Sequence, residues 1–217
     1  MNLLNKILVV FSLILAIVNL ILIIFYSPLV PEQEWAQKIF YYHVPLAWNF
    51  FLAYLMAMIY SGLFLKTRNE KYDIAALAWA ETGTLFCLLV LITGPIWATP
   101  IWGKPWTWEP RLTSTLIIFL IYMIYFMVRE FSDSHEKGMR FAAIISILAF
   151  MDVPIIYYAV DMWAPELQAH PSRSTISEST ELIQKLFYFS LVSFTLLLVA
   201  LVQFRIKVEK SQRVEYV

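Results

Sequence analysis

The sequence predicts an all-α membrane protein with six transmembrane helices, and two observations lead to this prediction. Hydrophobic residues make up 60% of the 217 residues and charged residues only 15%, whereas soluble domains contain roughly 45–50% apolar and about 25% charged residues. The chain also contains six apolar runs, each long enough to cross a hydrocarbon core about 30 Å thick as a helix. Charged residues are too few to cover a water-soluble globule of this length, so we expect the excess apolar surface to face lipid.

The predicted spans follow the apolar runs in chain order. Their approximate bounds are residues 7–26, 44–65, 77–97, 112–128, 141–160 and 186–204. The first run is longer than the roughly 7–15 apolar residues of a secretory signal, and no small-x-small cleavage site follows it. We therefore expect the first run to be retained as a span, and residues 1–217 to form a single six-helix domain.

The positions of Lys and Arg predict the orientation of the chain. Eleven of the 16 basic residues lie in the two termini and the even-numbered loops. Cytoplasmic segments of membrane proteins carry an excess of Lys and Arg. Both termini are therefore expected in the cytoplasm, and the three odd-numbered loops on the outer face.

Composition and motifs exclude several function classes. Basic and acidic residues balance at 16 each, so no overall field attracts nucleic acid. The one cysteine, Cys87, excludes an internal disulfide, a cysteine-built zinc site and covalent c-type haem attachment on this chain. The chain has neither a glycine-rich phosphate loop nor a nucleophile–base–acid set with suitable spacing. We therefore expect no ATP hydrolysis and no enzymatic activity.

Two of the three histidines fall on the predicted outer face. His135 lies among charges in an even-numbered loop and is expected to be solvated. His43 ends the first outer loop, where the second span begins, and His170 lies in the third outer loop. Taken alone, each of these two is as consistent with an interfacial histidine that has no function as with a functional one.

The second outer loop is a Trp-rich segment, about residues 97–111, which contains four of the eight tryptophans. One interpretation is an aromatic belt, because Trp is enriched at membrane interfaces. A belt, however, places aromatic residues at both leaflets rather than in one run. Gly103, Pro105 and Pro110 favour a bent loop. We therefore expect a hydrophobic platform on which a large flat ligand can stack.

Haem is the ligand that best combines two imidazoles with such a platform. Its iron accepts two axial histidines, its ring prefers apolar surface, and its propionates prefer the cations Lys104, Arg111 and Arg173. Zinc fits less well because it normally takes three or four protein ligands. The residues alone leave haem binding and a plain interfacial role both open.

Three motifs also resemble a known family. They are Tyr-His-Val-Pro-Leu-Ala-Trp at 42–48, Trp-Gly-Lys-Pro-Trp-Thr-Trp-Glu-Pro-Arg-Leu-Thr at 102–113, and Val-Pro-Ile-Ile at 153–156 followed by His170-Pro171. In this order they resemble the haem-handling protein family and, within it, the CcmC family of cytochrome c maturation, over nearly the whole chain. Two departures are Glu109 in place of Asp and Pro105 in place of Trp, which removes one stacking surface.

The resemblance implies that haem b is bound non-covalently, with His43 and His170 as axial ligands, and delivered to a haem chaperone for c-type cytochrome biogenesis. It further implies that the Trp-rich segment binds the haem edge. The residues concerned are Trp102, Gly103, Trp106, Trp108, Glu109 and Arg111. Implied partners are the chaperone CcmE and the ABC-type complex subunits CcmA, CcmB and CcmD. The implied location is a bacterial-type inner membrane, with the haem site facing the periplasm.

Two alternatives remain at this point. A cytochrome b-like electron-transfer subunit normally holds haem through histidines inside its helices, and we predict no histidine within a span. A cofactor-free transporter or assembly scaffold would use the Trp-rich segment only to dock a partner.

Carboxylates within the predicted spans are a weaker signal. Burying one is costly unless it is paired. We expect Glu81, near the cytoplasmic end of the third span, to be hydrated. We expect Asp152 to lie at a kink with a polar network caused by Pro154. Asp161 or Glu166 is a candidate partner that orients His170.

Overall fold

The computed structural model of the protein describes residues 3–31, 33–162 and 179–215, and these residues are almost entirely helical. The helices are α1 (Leu3–Tyr26), α2 (Phe40–Thr67), α3 (Glu70–Trp102), α4 (Pro110–Phe131), α5 (His135–Ala149), α6 (Asp152–Met162) and α7 (Glu181–Glu215). A short 3₁₀ helix, Trp35–Ile39, leads directly into α2. Six segments are long and apolar enough to cross a membrane. The predicted fold class is therefore confirmed.

The fifth span consists of two helices, because α5 ends at Ala149 and α6 begins at Asp152. In a continuous helix, the ring of Pro154 would collide with the carbonyl of Phe150. The predicted kink is therefore present. The predicted polar network is not seen among the described residues, where Asp152 Oδ2 is buried without a hydrogen-bond partner.

The ends of α3 have clear local causes. Asn69 precedes the helix, and its side chain accepts a hydrogen bond from the backbone N–H of Lys71, which satisfies a donor that the first turn leaves open. At the other end, Gly103 has a φ of 70° and its N–H donates to the carbonyl of Thr99. This left-handed conformation ends the helix and favours glycine. Pro110 then occupies the start of α4, where a missing N–H costs nothing.

Helices α2, α3 and α4 pack closely in the middle of the molecule. A Cβ atom on Gly83 of α3 would lie only 2.8 Å from the Cβ of Ala53 on α2, so the two backbones approach each other as small residues allow. Next to this crossing, the ring of Tyr54 stacks on that of Tyr122 of α4, with centroids 3.8 Å apart and an interplanar angle of 6°. The fold thus places α3 firmly between its neighbours.

The first residues of α3 and the last residues of α4 and α7 meet at one end of the molecule, which we call the termini end. Asp73 is 2% exposed and accepts two hydrogen bonds from Arg129 of α4, at 2.7 and 2.8 Å. Arg213 of α7 donates to Asp73 Oδ2 at 2.6 Å. One carboxylate therefore joins three helices.

Glu81 forms a second ion-pair contact between α3 and α7, about two helical turns from Asp73 towards the middle of the molecule. We predicted a hydrated Glu81, but it pairs with Arg205 of α7, whose Nη2 lies 3.0 Å from Glu81 Oε1. Arg205 also contacts Glu209, with its Nη2 3.0 Å from Glu209 Oε2. The pairing was not predicted because α7 continues as a helix to Glu215, about ten residues beyond the predicted span. This extension packs along the first turns of α3 and places Arg205 beside Glu81.

Candidate functional site

The opposite end of the molecule, which we call the site end, contains His43. We predicted His43 at the end of a loop, but it lies inside α2, which begins at Phe40. Nothing between Trp35 and His43 breaks a helix, so the 3₁₀ helix runs on into α2. The imidazole is only 7% exposed. The prediction that no histidine lies within a span is accordingly wrong.

Helix α3 supplies the hydrogen bond that orients this imidazole. His43 Nδ1 lies 2.9 Å from Thr93 Oγ1. The Thr93 hydroxyl also lies 2.8 Å from the carbonyl oxygen of Leu89, one turn back on α3. His43 is therefore linked to α3 through a hydroxyl that is itself tied to the backbone.

Two further residues of α3 pack against the His43 ring. A Cβ on Gly94 would lie 3.3 Å from His43 Cε1, so glycine leaves room for the ring. Trp97 meets the imidazole edge-on, with centroids 5.6 Å apart. The indole N–H of Trp97, 5% exposed, donates to Gln33 Oε1 at 3.3 Å, which ties the segment between α1 and α2 to α3.

His43 lines a narrow cavity of about 30 Å³ together with residues from α3, α4 and the stretch between them. The other lining residues are Gly94, Trp97, Ala98, Trp102, Lys104, Pro105, Thr107, Glu109 and Leu112. Since a water molecule requires roughly 10–15 Å³ of such volume, the cavity can hold two or three waters. The structure thus brings His43 together with Trp102 and Glu109 of the predicted site.

The remaining predicted residues of the Trp-rich segment surround this cavity without lining it. Trp108 is 76% exposed, and its ring meets that of Trp106 edge-on at 5.8 Å. Gly103 is the residue that ends α3. Arg111 turns inward, where its Nε and Nη2 donate to the carbonyls of Ile156 and Tyr157 at 3.3 Å each, so it fastens α4 to α6.

The Trp-rich segment is less of a loop than we predicted. Helix α3 continues to Trp102 in spite of Pro95 and Pro100, and only residues 103–109 are non-helical. Prolines are tolerated in membrane helices because neighbouring groups re-satisfy the freed backbone. Trp97 and Trp102 of the predicted platform therefore lie on the last turns of α3.

Several predicted positions lie outside the described residues. They are His170, Glu166, Arg173 and the side chain of Asp161. The pairing of His170 with His43 therefore stays a prediction. Among the residues that the structure does describe, no group of three or more His, Cys, Asp or Glu side chains is placed to hold a metal ion.

The sequence analysis did not identify Thr93 and Gly94, and it placed Trp97 at the end of the third span and the start of the Trp-rich segment. The three residues are spaced as one face of a helix, with Trp97 one turn beyond Thr93 and Gly94. All three lie inside the predicted third span, 77–97, so their shared helical face was visible in the sequence, but the sequence does not show that this face meets His43.

The fold and this site define a class: an integral membrane protein with a buried imidazole and a Trp-rich surface at one end. Comparison of the sequence with known protein families identifies the class more closely. The family model of CcmC, described as heme exporter protein C, matches residues 1–216. The chain belongs to this family, which confirms the resemblance found in the sequence and implies a role in haem delivery for cytochrome c maturation.

Individual relatives agree with the family match. The chain is 34% identical to heme exporter protein C of Bradyrhizobium diazoefficiens, over 82% of this chain and 69% of the relative. It is 31% identical to the protein of that name in Paracoccus denitrificans, over 87% and 79%. It is also 35% identical, over 73% and 67%, to a ccmC-like mitochondrial protein of cytochrome c biosynthesis in Marchantia polymorpha.

Proposed function

We propose that the protein holds haem b non-covalently at the site end and delivers it to a haem chaperone for c-type cytochrome biogenesis. The observation that carries this proposal is the position of His43. Its imidazole is buried, hydrogen-bonded through Nδ1 and next to the indoles of Trp97 and Trp102. His43 would be one axial ligand and His170 the other.

The chemistry of the residues around His43 suits a porphyrin. The cavity is too small to enclose a porphyrin, so the ring would lie across its mouth, against the exposed faces of Trp102 and Trp108. Indoles favour offset or edge contacts with extended π systems. Lys104, which is exposed beside the cavity, is a suitable partner for a propionate, whereas Arg111 is bonded to the carbonyls of α6.

Two axial imidazoles would suit a carrier that releases its haem. With both axial positions filled, the iron has no open position for oxygen. The protein side of the site is aromatic and exposed, with Trp108 at its edge, so a second protein can reach the ligand. The arrangement therefore favours storage and transfer over turnover.

The cellular setting of this proposal comes from the charge pattern and the family. We propose that residues 1–217 act as one haem-handling domain in a bacterial-type inner membrane, with the site end facing the periplasm. The proposed partners are the chaperone CcmE and the complex subunits CcmA, CcmB and CcmD. Any energy for transfer would come from the ABC-type subunits.

Absorption spectra of the purified protein test the proposal. Wild type should show a Soret band that is lost or shifted in His43→Ala and in His170→Ala. His135→Ala is the matched control because His135 begins α5 at the termini end, and its spectrum should equal that of wild type. Absence of a Soret band in wild type, or equal spectra for His43→Ala and His135→Ala, would overturn the proposal.

A further inference from the structure

The hydroxyl of Thr93 is the polar group that faces the His43 ring from α3. We propose that Thr93 is a positioning residue: it holds the proton of neutral His43 on Nδ1, so that Nε2 carries the lone pair used for iron ligation. This inference rests on the proposed function, and it assigns a role to a residue that does not itself touch haem.

The hydrogen bonds open to the Thr93 hydroxyl favour one tautomer of His43. A threonine hydroxyl has one proton to donate and two lone pairs. Oγ1 lies 2.8 Å from the carbonyl oxygen of Leu89 and 2.9 Å from His43 Nδ1. If Nδ1 carries the proton, the hydroxyl donates to Leu89 and accepts from His43, and both contacts are hydrogen bonds. If Nε2 carries the proton, Nδ1 and the Leu89 carbonyl oxygen are both acceptors. The Thr93 hydroxyl can then donate its one proton to only one of them.

The hydrogen bond to Thr93 opposes a flip of the His43 ring, which packs beside Gly94 and Trp97. Gly94 lies against His43 Cε1, where an added Cβ would be 3.3 Å away, and the Trp97 indole meets the ring edge-on at an interplanar angle of 61°. A flipped ring would present a carbon to the Thr93 hydroxyl and lose the hydrogen bond. The position of Nδ1 is therefore fixed on one side of the ring, and that of Nε2 on the other.

The neutral character of the acceptor also matters. Donation of the non-ligating N–H to an acceptor orients a metal-binding imidazole and raises the basicity of its other nitrogen. A carboxylate would do so more strongly, because charge-assisted hydrogen bonds are roughly twice as strong as neutral ones. A hydroxyl at this position therefore gives an oriented ligand of moderate strength, which suits a site that must release its haem.

The first test uses protein without haem. In ¹⁵N-histidine-labelled protein, NMR gives the chemical shifts of the ring nitrogens of the three histidines at a pH where these rings are neutral. The two signals that disappear in His43→Ala are Nδ1 and Nε2 of His43. Wild type and Thr93→Ser should show protonated Nδ1, and Thr93→Val should show a reduced population of that tautomer. Thr99→Val is the matched control, because Thr99 donates to the carbonyl of Pro95 at 2.8 Å on the same helix. An unchanged tautomer in Thr93→Val would overturn the inference.

The second test uses haem titration followed at the Soret band. Loss of an outer hydrogen-bond partner typically weakens metal binding by about 10- to 100-fold, and we expect a loss in this range for Thr93→Val, with Thr93→Ser and Thr99→Val near wild type. If His43→Ala abolishes binding but Thr93→Val binds like wild type, the inference fails and the proposed function stands. If His43→Ala binds like wild type, both fail.

Discussion

The two ends of α3 satisfy their polar groups in opposite ways. At the termini end, Asp73 is 2% exposed and is bonded by two guanidinium groups from α4 and α7. At the site end, His43 is 7% exposed, and its described contacts include the Thr93 hydroxyl, Gly94 and the Trp97 indole. Ion pairs join the helices at one end, and a threonine hydroxyl contacts an imidazole at the other.

This difference indicates separate tasks for the two ends. A buried ion pair is costly to break because it leaves an unpaired charge, so the Asp73 network fastens three helices. The site end also leaves large aromatic rings exposed, such as Trp108 at 76%. Because Trp108 lies next to residues that line the His43 cavity, its exposed indole offers a ligand a stacking surface. We therefore expect mutations at the termini end to change stability, and mutations at the site end to change binding.

The largest loss of stability is expected for Asp73→Ala. Removal of the carboxylate leaves the largely buried Arg129 without its ion-pair partner, at a cost of about 3–5 kcal/mol. Chemical unfolding of the protein in detergent measures the change. The control is Asp133→Ala, since Asp133 is 87% exposed in its pair with Lys137, and its effect should stay within about 0.5 kcal/mol. Equal effects of the two substitutions would contradict the role given to the termini end.

A smaller loss is expected in the middle of α3. Gly83→Ala places a methyl group 2.8 Å from Ala53 Cβ, and overpacking of this kind costs about 1–3 kcal/mol. Gly62→Ala is the matched control, because a Cβ at Gly62 meets nothing within 4 Å. Its effect should be neutral or stabilising by up to about 1 kcal/mol, since alanine favours helix. The same unfolding measurement applies, and a Gly83→Ala protein as stable as Gly62→Ala would show that α2 and α3 can move apart freely.

The smallest change in stability, but a change in binding, is expected for Trp108→Ala. The side chain is mostly exposed, so unfolding should shift by no more than about 0.5 kcal/mol. Loss of one stacking face should weaken haem binding by about 2- to 10-fold, which corresponds to the 0.5–1.5 kcal/mol of an aromatic pair. Trp35→Ala is the control, because Trp35 is 65% exposed but lies outside the Trp-rich segment. Haem titration of the two variants should separate them, and identical affinities would argue against the platform.

Local patterns in the sequence were sufficient for most of the fold. Runs of apolar residues predicted all six spans, and Pro154 predicted the break in the fifth. The errors lie at helix ends, where His43 and residues 97–102 are helical although loops were expected. Polar and aromatic residues at a membrane interface lower the hydropathy of a run without ending its helix, so hydropathy alone makes such helices too short.

The composition of the site was partly predictable. His43, Trp102 and Glu109 were predicted together, and they line one cavity. Thr93 was not predicted, because a threonine in a membrane span most often bonds to its own helix backbone, as Thr99 does. Only the neighbouring helix distinguishes the two threonines.

The sequence by itself determined that this chain spans a membrane six times and gathers tryptophans at one end. The physical reason is that the free energy of insertion is nearly a sum over residues along the chain. The tertiary structure decided which polar groups meet: His43 with Thr93, 50 residues away, and Asp73 with Arg213, 140 residues away. Such contacts depend on the depth and rotation of each helix. Close packing between the helices determines both, and a sum over single residues contains neither.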